Sequence, residues 1–472
     1  MQASSCQVCF GSITPVLGLA RRVRLPTDSS SKSPYRLFAT LIDIDWYTCR
    51  ACRPGVSPGL SPDENSPMSP ISDRARATQA AAASLDHFYL KSRYGERRGD
   101  PGISDFTFGN PQEMPLAAIA EAIRARAVPR SKDWFAYKTN EPEGCAFLAG
   151  TVSRELGLAF EASDIALTAG AFGAIAVAFR LVLDAGDEAI FSEPAWFAYE
   201  SMLLLADAVP RKVQLAGPRF DLDLAAIEAA IRPRTRLVIV NTPHNPTGRI
   251  YDRAALQALA DLLDRASARI GRRIFILSDE PYRRLRFDGR GFVSPAAVYP
   301  WTLISYSYSK VLLAPGQRLG YLATSPLMPA AERQAVSEAF SAVQVAIGWS
   351  VPNAVMQYAM PDFEDLSIDI AALTRRRDRL TAALTAVGAQ VLPPEGTFYL
   401  WGRWPPGDPE MHWNQLADRD VFVIPGSLMA APDWFRISLT ASDAMVERAL
   451  PAIAALAQHP ATADSTPKQR LG

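Results

Sequence analysis

Lys310 closes the tetrapeptide Ser307-Tyr308-Ser309-Lys310, directly after an apolar run at 302–306. A lysine amine is a nucleophile only when deprotonated, and nearby positive charge or desolvation lowers its pKa toward that state. Beyond it, Pro315-Gly316-Gln317-Arg318 supplies a planar, permanently charged fork that suits a phosphate. Asp279-Glu280-Pro281-Tyr282 follows a run at 274–278, and Asn241-Thr242-Pro243-His244-Asn245-Pro246-Thr247-Gly248 follows 237–241. Gly170-Ala171-Phe172 opens a helical segment after 164–168, and the free N–H groups of a helix start suit an anion. Arg436 sits inside the strand-like Trp434-Phe435-Arg436-Ile437-Ser438, where a charge needs a partner. Singly, each has a plainer reading: a turn at Asn245, an N-capping Asp279, a solvated Lys310. What joins them is position, because open α/β sheets bind ligands beyond the carboxyl ends of their strands.

The elements that must position these residues alternate from about residue 150. Short apolar runs at 164–168, 188–192, 237–241, 274–278 and 302–306 read as strands. Ala- and Leu-rich segments at 171–183, 224–231 and 253–269 read as the helices between them. Continuous apolar strands alternating with helices predict a mostly parallel sheet covered on both faces. Amphipathic helices at 366–388 and 442–457 flank strand-like runs at 396–401 and 434–439, which predicts a second α/β lobe joined by residues near 80–125.

With those motifs in that order, the chain resembles the fold-type-I, pyridoxal-phosphate-dependent aminotransferases of class I/II, over about residues 100–440. The resemblance implies an α/β fold with a large, mostly parallel seven-stranded sheet domain and a smaller α/β domain. It implies pyridoxal 5'-phosphate as cofactor and Lys310 as its Schiff-base lysine, later the base that moves a proton from the substrate Cα. Asp279 matches the partner of the pyridine nitrogen. Tyr282 and Asn245 match the residues that hydrogen-bond the cofactor's phenolic oxygen. Ala171, Phe172, Ser307, Ser309 and Arg318 match the phosphate ligands, with Phe172 giving backbone only. Trp196, in Glu193-Pro194-Ala195-Trp196, matches the aromatic stacked on the ring, and Arg436 the clamp for the substrate α-carboxylate. Gly109, in Phe108-Gly109-Asn110-Pro111, matches a glycine that lets substrate approach the backbone, and Tyr137 a tyrosine sent to the partner subunit's phosphate. The implied function is transfer of an amino group between an L-amino acid and a 2-oxo acid by a ping-pong mechanism, in a homodimer. A lyase or cyclising synthase acting on an amino acid shares the fold, lysine and cofactor, and is the alternative. No second arginine aligns as reader of an acidic side chain. Trp134, Phe135 and Phe398 read either as lining of an apolar pocket or as core.

The rest of the sequence bounds these readings. The chain has 472 residues with 49 basic and 49 acidic side chains, a balance unsuited to a nucleic-acid or anionic-membrane binder. No apolar run is long enough for a transmembrane helix. Four of five cysteines (Cys6, Cys9, Cys49, Cys52) fall in the first 52 residues, so the body reads as cytoplasmic rather than disulfide-stapled. The two Cys-x-x-Cys pairs lie too far apart for a usual zinc ribbon, and no metal site is expected. Residues 1–67 are Arg- and Ser-rich, then Pro- and Ser-rich. They read as a disordered extension: a transit peptide implying organellar import, or sequence upstream of a true start at Met68. No paired helices there suggest a DNA-binding regulator. The expected division is 1–67 extension, 68–125 contributing to the small domain, 126–350 large cofactor-binding domain, 351–458 C-terminal small domain, and 459–472 tail.

Overall fold

The computed structural model describes residues 69–458. The expectations for 1–67, the Cys-x-x-Cys pairs among them, and for the tail 459–472 lie outside the described residues. Twelve strands form two sheets. In chain order they are β1 Ser104–Phe106, β2 Ile165–Thr168, β3 Glu188–Glu193, β4 Val209–Gln214, β5 Thr235–Asn241, β6 Phe275–Asp279, β7 Thr302–Ser307, β8 Gly320–Thr324, β9 Gln390–Leu392, β10 Tyr399–Arg403, β11 Val421–Pro425 and β12 Trp434–Ser438.

The large sheet has seven strands in the order β2-β8-β7-β6-β5-β3-β4. β4, β3, β5, β6 and β7 run parallel, and β8 pairs antiparallel with both β7 and β2. Every residue of β6, β7 and β8 is buried. Their sequences, Phe-Ile-Leu-Ser-Asp among them, carry no alternation because both faces are covered. The helices Gly170–Val182 and Arg253–Ile270 help cover them, and the latter ends on Gly271 in the left-handed conformation. The parallel strands share one carboxyl edge, so Asn241 and Asp279 end β5 and β6 side by side, with Asp279 opposite Ser305 and Ser307 ending β7 two residues further on.

The smaller sheet is mixed, in the order β1-β11-β12-β10-β9. The helices Ile370–Ala386 and Asp443–Ala454 stand where amphipathic periodicity places them. The segment near 80–125 divides its contacts. β1 joins the small sheet parallel to β11, whereas the first helix, Asp73–Lys91, packs against the large-sheet helix Ala198–Leu205. Phe88, Tyr94 and Ile103 then bury against Ala417, Phe422 and Ile424. This N-terminal segment therefore spans a helix of the large domain and the small sheet.

Candidate active site

The carboxyl edge of the large sheet and the small sheet enclose a cavity of about 320 Å³. Lys310, Asp279, Tyr282, Asn245, Ala171, Phe172, Trp196, Ser307, Ser309, Arg318, Arg436 and Gly109 all line it. Tyr137 does not: it is 90% exposed, with its ring 5.1 Å from Trp349 on a different cavity.

Asp279 is the last residue of β6. Its Oδ2 accepts a hydrogen bond from the Tyr199 hydroxyl at 2.5 Å and from Asn241 Nδ2 at 3.4 Å. Asn241 Nδ2 also donates to the Asp279 carbonyl at 2.8 Å, which ties the ends of β5 and β6 together. Oδ1 is buried and accepts no hydrogen bond among the described residues. Burial pushes the Asp279 carboxyl up to about 6, against the opposing pull of the Tyr199 and Ser305 hydroxyls and the Lys310 charge. A carboxylate so placed is short of one donor or cation.

The turn after Asp279 is braced from behind. Arg283 is fully buried and grips Glu155 at 3.0 and 2.8 Å, with Glu280 at 3.4 Å. Burial alone would raise the Glu155 carboxyl, but Arg283 and Arg284 hold it down at about 2. This network fixes the turn that carries Tyr282, whose ring meets Phe398 edge-on at 5.5 Å. Lys310, on the short helix Tyr308–Val311 after β7, places its Nζ 5.7 Å from the centroids of both the Tyr282 and Phe398 rings.

Both arginines of the cavity wall stand without a carboxylate partner among the described residues. Arg318 donates to the carbonyls of Ala169 at 2.8 Å and Pro315 at 3.0 Å. Its guanidinium holds Gly170 to glycine, since a Cβ there would lie 2.8 Å from Arg318 Nη2 and Gly170 φ is +73°. Ser307 and Ser309 meet at 2.8 Å between their hydroxyls in the same cavity wall. Arg436, on β12 and 1% exposed, donates to Asn245 Oδ1 at 3.0 Å and the Thr107 carbonyl at 2.9 Å. It lies 3.9 Å over the Tyr399 ring, and its Nε is buried without a partner. A buried cation with neutral neighbours only is costly, and an anion entering the cavity relieves that cost.

Gly109 lines the cavity and also has a packing reason to be glycine. A Cβ there would lie 2.5 Å from the Phe398 ring and 2.9 Å from the Tyr399 hydroxyl, so the glycine is required by packing within the chain. Of the three residues read as pocket or core, Phe398 is core beneath Tyr282, Trp134 stacks on Tyr358, and Phe135 faces the second cavity. Sequence reading passed over Tyr199, Asn241, Tyr399, Tyr89, Phe108 and Phe197. Tyr199 stands three residues after Trp196, close to one helical turn, which was the available signal; Asn241 and Phe108 sit inside quoted motifs without a role given to them, Phe197 and Tyr399 stand beside quoted residues, and Tyr89 has no local signal.

The aminotransferase class I and II family model matches residues 102–453. The chain is 31% identical over 359 residues to the aspartate/prephenate aminotransferase of Thermus thermophilus, covering 75% of this chain and 91% of that one. It is 30% identical to an aspartate aminotransferase of Rhizobium meliloti, covering 76% and 90%. An aminotransferase structure from Eubacterium rectale superposes with TM-score 0.70 at 28% identity, covering 83% of this chain and 96% of that one. No helix among the described residues is long and apolar enough to cross a membrane. On the family match and these relatives, the chain belongs to the class I and II aminotransferases and is an enzyme of that type.

Proposed function

We propose that the chain binds pyridoxal 5'-phosphate in the cavity and exchanges an amino group between an L-amino acid and a 2-oxo acid by a ping-pong cycle, as a homodimer. The observation that carries this is the set of unmet charges facing one cavity: Asp279 Oδ1 without a donor, and Arg318 and Arg436 without a carboxylate. A protonated pyridine nitrogen, a phosphate and a substrate carboxylate are the three complements. Arg318, the Ser307 and Ser309 hydroxyls and the helix start at Gly170-Ala171-Phe172 would hold the phosphate. Asp279 would hold the ring nitrogen's proton, with Tyr199 and Asn241 fixing its carboxylate. Trp196 would stack on the ring, and Tyr282 and Asn245 would hydrogen-bond its phenolic oxygen.

Bound there, pyridoxal phosphate supplies a carbonyl carbon for an amine and a ring that accepts the electron pair released at the substrate Cα. Arg436 binds the α-carboxylate, and Asn245 Oδ1 and the Thr107 carbonyl set the guanidinium's angle. Lys310 Nζ takes the proton from the substrate Cα and returns it later in the half-reaction. The test is optical. The chain loaded with pyridoxal phosphate should show visible absorbance that an amino donor removes and a 2-oxo acid restores. Loaded protein whose spectrum no donor changes would favour a lyase or synthase.

The homodimer is supported by the second face. Phe135, Tyr137 and Trp349 leave large apolar area exposed around a cavity of about 620 Å³. A second copy covering this face would bring Tyr137 toward its partner's phosphate. The chain should therefore sediment as a dimer, and Tyr137→Phe should weaken cofactor binding about tenfold. A fully active monomer contradicts this arrangement. The cysteine-poor body, with Cys145 buried and unpaired, supports a cytoplasmic setting.

A further inference from the structure

The cavity wall away from Lys310 is aromatic, and it is assembled from three separate segments. Tyr89 comes from the first helix, Phe108 from the loop after β1, and Phe197 from the turn before the helix Ala198–Leu205. Tyr89 meets Phe108 edge-on at 5.4 Å, and Phe108 meets Phe197 edge-on at 6.2 Å. Phe197 continues to Trp196 at 6.2 Å, and Trp196 to Phe172 at 4.6 Å. These rings form one band along the cavity, and none of the five is fully buried, so apolar area is left open to a ligand.

Two further observations say which part of a substrate meets this band. Arg436 donates to the Thr107 carbonyl, so the guanidinium is tied to the residue next to Phe108. A carboxylate held by Arg436 leaves the substrate's side chain within reach of Phe108. Among the described residues, the cations lining the cavity are Lys310, Arg318 and Arg436, each engaged by the reading above. Arg98 donates to the Tyr89 hydroxyl at 3.2 Å with its guanidinium 4.4 Å over that ring, outside the cavity lining. Within one chain's described residues, a second substrate carboxylate would be desolvated against aromatic rings without a cation of its own, which is unfavourable. An apolar side chain loses nothing there and gains burial and ring contacts.

We propose that the cavity takes amino acids with a large apolar side chain, aromatic ones best, seated against Phe108 and Phe197 and capped by Tyr89. This rests on aminotransfer with Arg436 as the carboxylate clamp.

The test uses the full-length chain loaded with pyridoxal phosphate and two readouts. In half-reactions with L-phenylalanine, L-leucine, L-alanine and L-aspartate, kcat/KM for phenylalanine should exceed that for aspartate by roughly tenfold or more. In calorimetry, where no turnover is needed, 3-phenylpropanoate should bind at least about tenfold tighter than succinate. Phe108→Ala should cut the phenylalanine-to-alanine ratio by roughly tenfold, mainly through KM. Phe197→Leu is the substitute if Phe108→Ala does not fold. Aspartate outrunning phenylalanine, or succinate binding tighter, overturns the side-chain assignment and leaves aminotransfer standing. An unchanged ratio in the variants overturns the placement on Phe108 and Phe197. Loaded protein that converts no donor overturns aminotransfer, and the side-chain assignment with it.

Discussion

Lys310→Ala should lower turnover by about 10⁴-fold or more, and the visible absorbance of the loaded protein should disappear with it. The proposed function asks two things of this one side chain: a nucleophilic amine that would bond the cofactor, and a base for the substrate Cα. Alanine removes both. Lys310→Arg is the sharper control, since it keeps length and charge but cannot lose its proton near neutral pH. It should be as inactive as alanine. The Nζ stands 5.7 Å from the Tyr282 and Phe398 ring centroids, so the fold packs around the lysine's stem and not around a salt bridge. Both variants should therefore melt within a few degrees of the parent. Either variant keeping a tenth of parental turnover, with folding intact, would show that Lys310 is not the group that carries the chemistry.

The sequence is most legible where physics repeats locally. β5, β6 and β7 are continuous apolar runs bounded by polar residues, and their last residues are the quoted motifs. β4 was not legible. Val-Pro-Arg-Lys-Val-Gln carries a proline and two charges, which an edge strand tolerates because one side of its ladder is open to solvent. β8 was hidden for another reason: its five residues start with a glycine and follow Arg318 so closely that they read as part of a motif. The site divides the same way. Asn245 and Lys310 announce themselves by their neighbours. Tyr199 reaches Asp279 across 80 residues of sequence, and Arg436 reaches the Thr107 carbonyl across 329, so only the packed fold makes either contact visible. The aromatic band is less legible still. Tyr89, Phe108 and Phe197 come from elements with no common spacing, so nothing local in the sequence joins them.

Asp279→Ala should lower turnover by about 10³-fold, because under the proposed function this buried carboxylate would stabilise positive charge on the cofactor's ring nitrogen. Asp279→Asn should lose nearly as much, since a neutral amide of the same shape cannot hold a proton on that nitrogen. The cofactor-free proteins offer a separate check that no assay of activity can mimic. In the parent, the folded Asp279 carboxyl is raised by burial to about 6, above its unfolded value of about 3.9. The folded state then binds more protons than the unfolded one between those two values. The group's contribution to stability is full below about pH 4 and is lost as pH rises through 6, a change of about 3 kcal/mol. Asparagine has no such proton to lose. The cofactor-free Asp279→Asn protein should match the parent's melting temperature near pH 4.5 and exceed it by several degrees at pH 8. Adding pyridoxal phosphate at pH 8 should reverse the order, because the ionised carboxylate would then gain the partner that its Oδ1 lacks among the described residues. A difference in melting temperature that stays flat from pH 4.5 to 8 would mean that Asp279 folds with its charge already compensated. The carboxylate would then have no electrostatic reason to await a cationic ring.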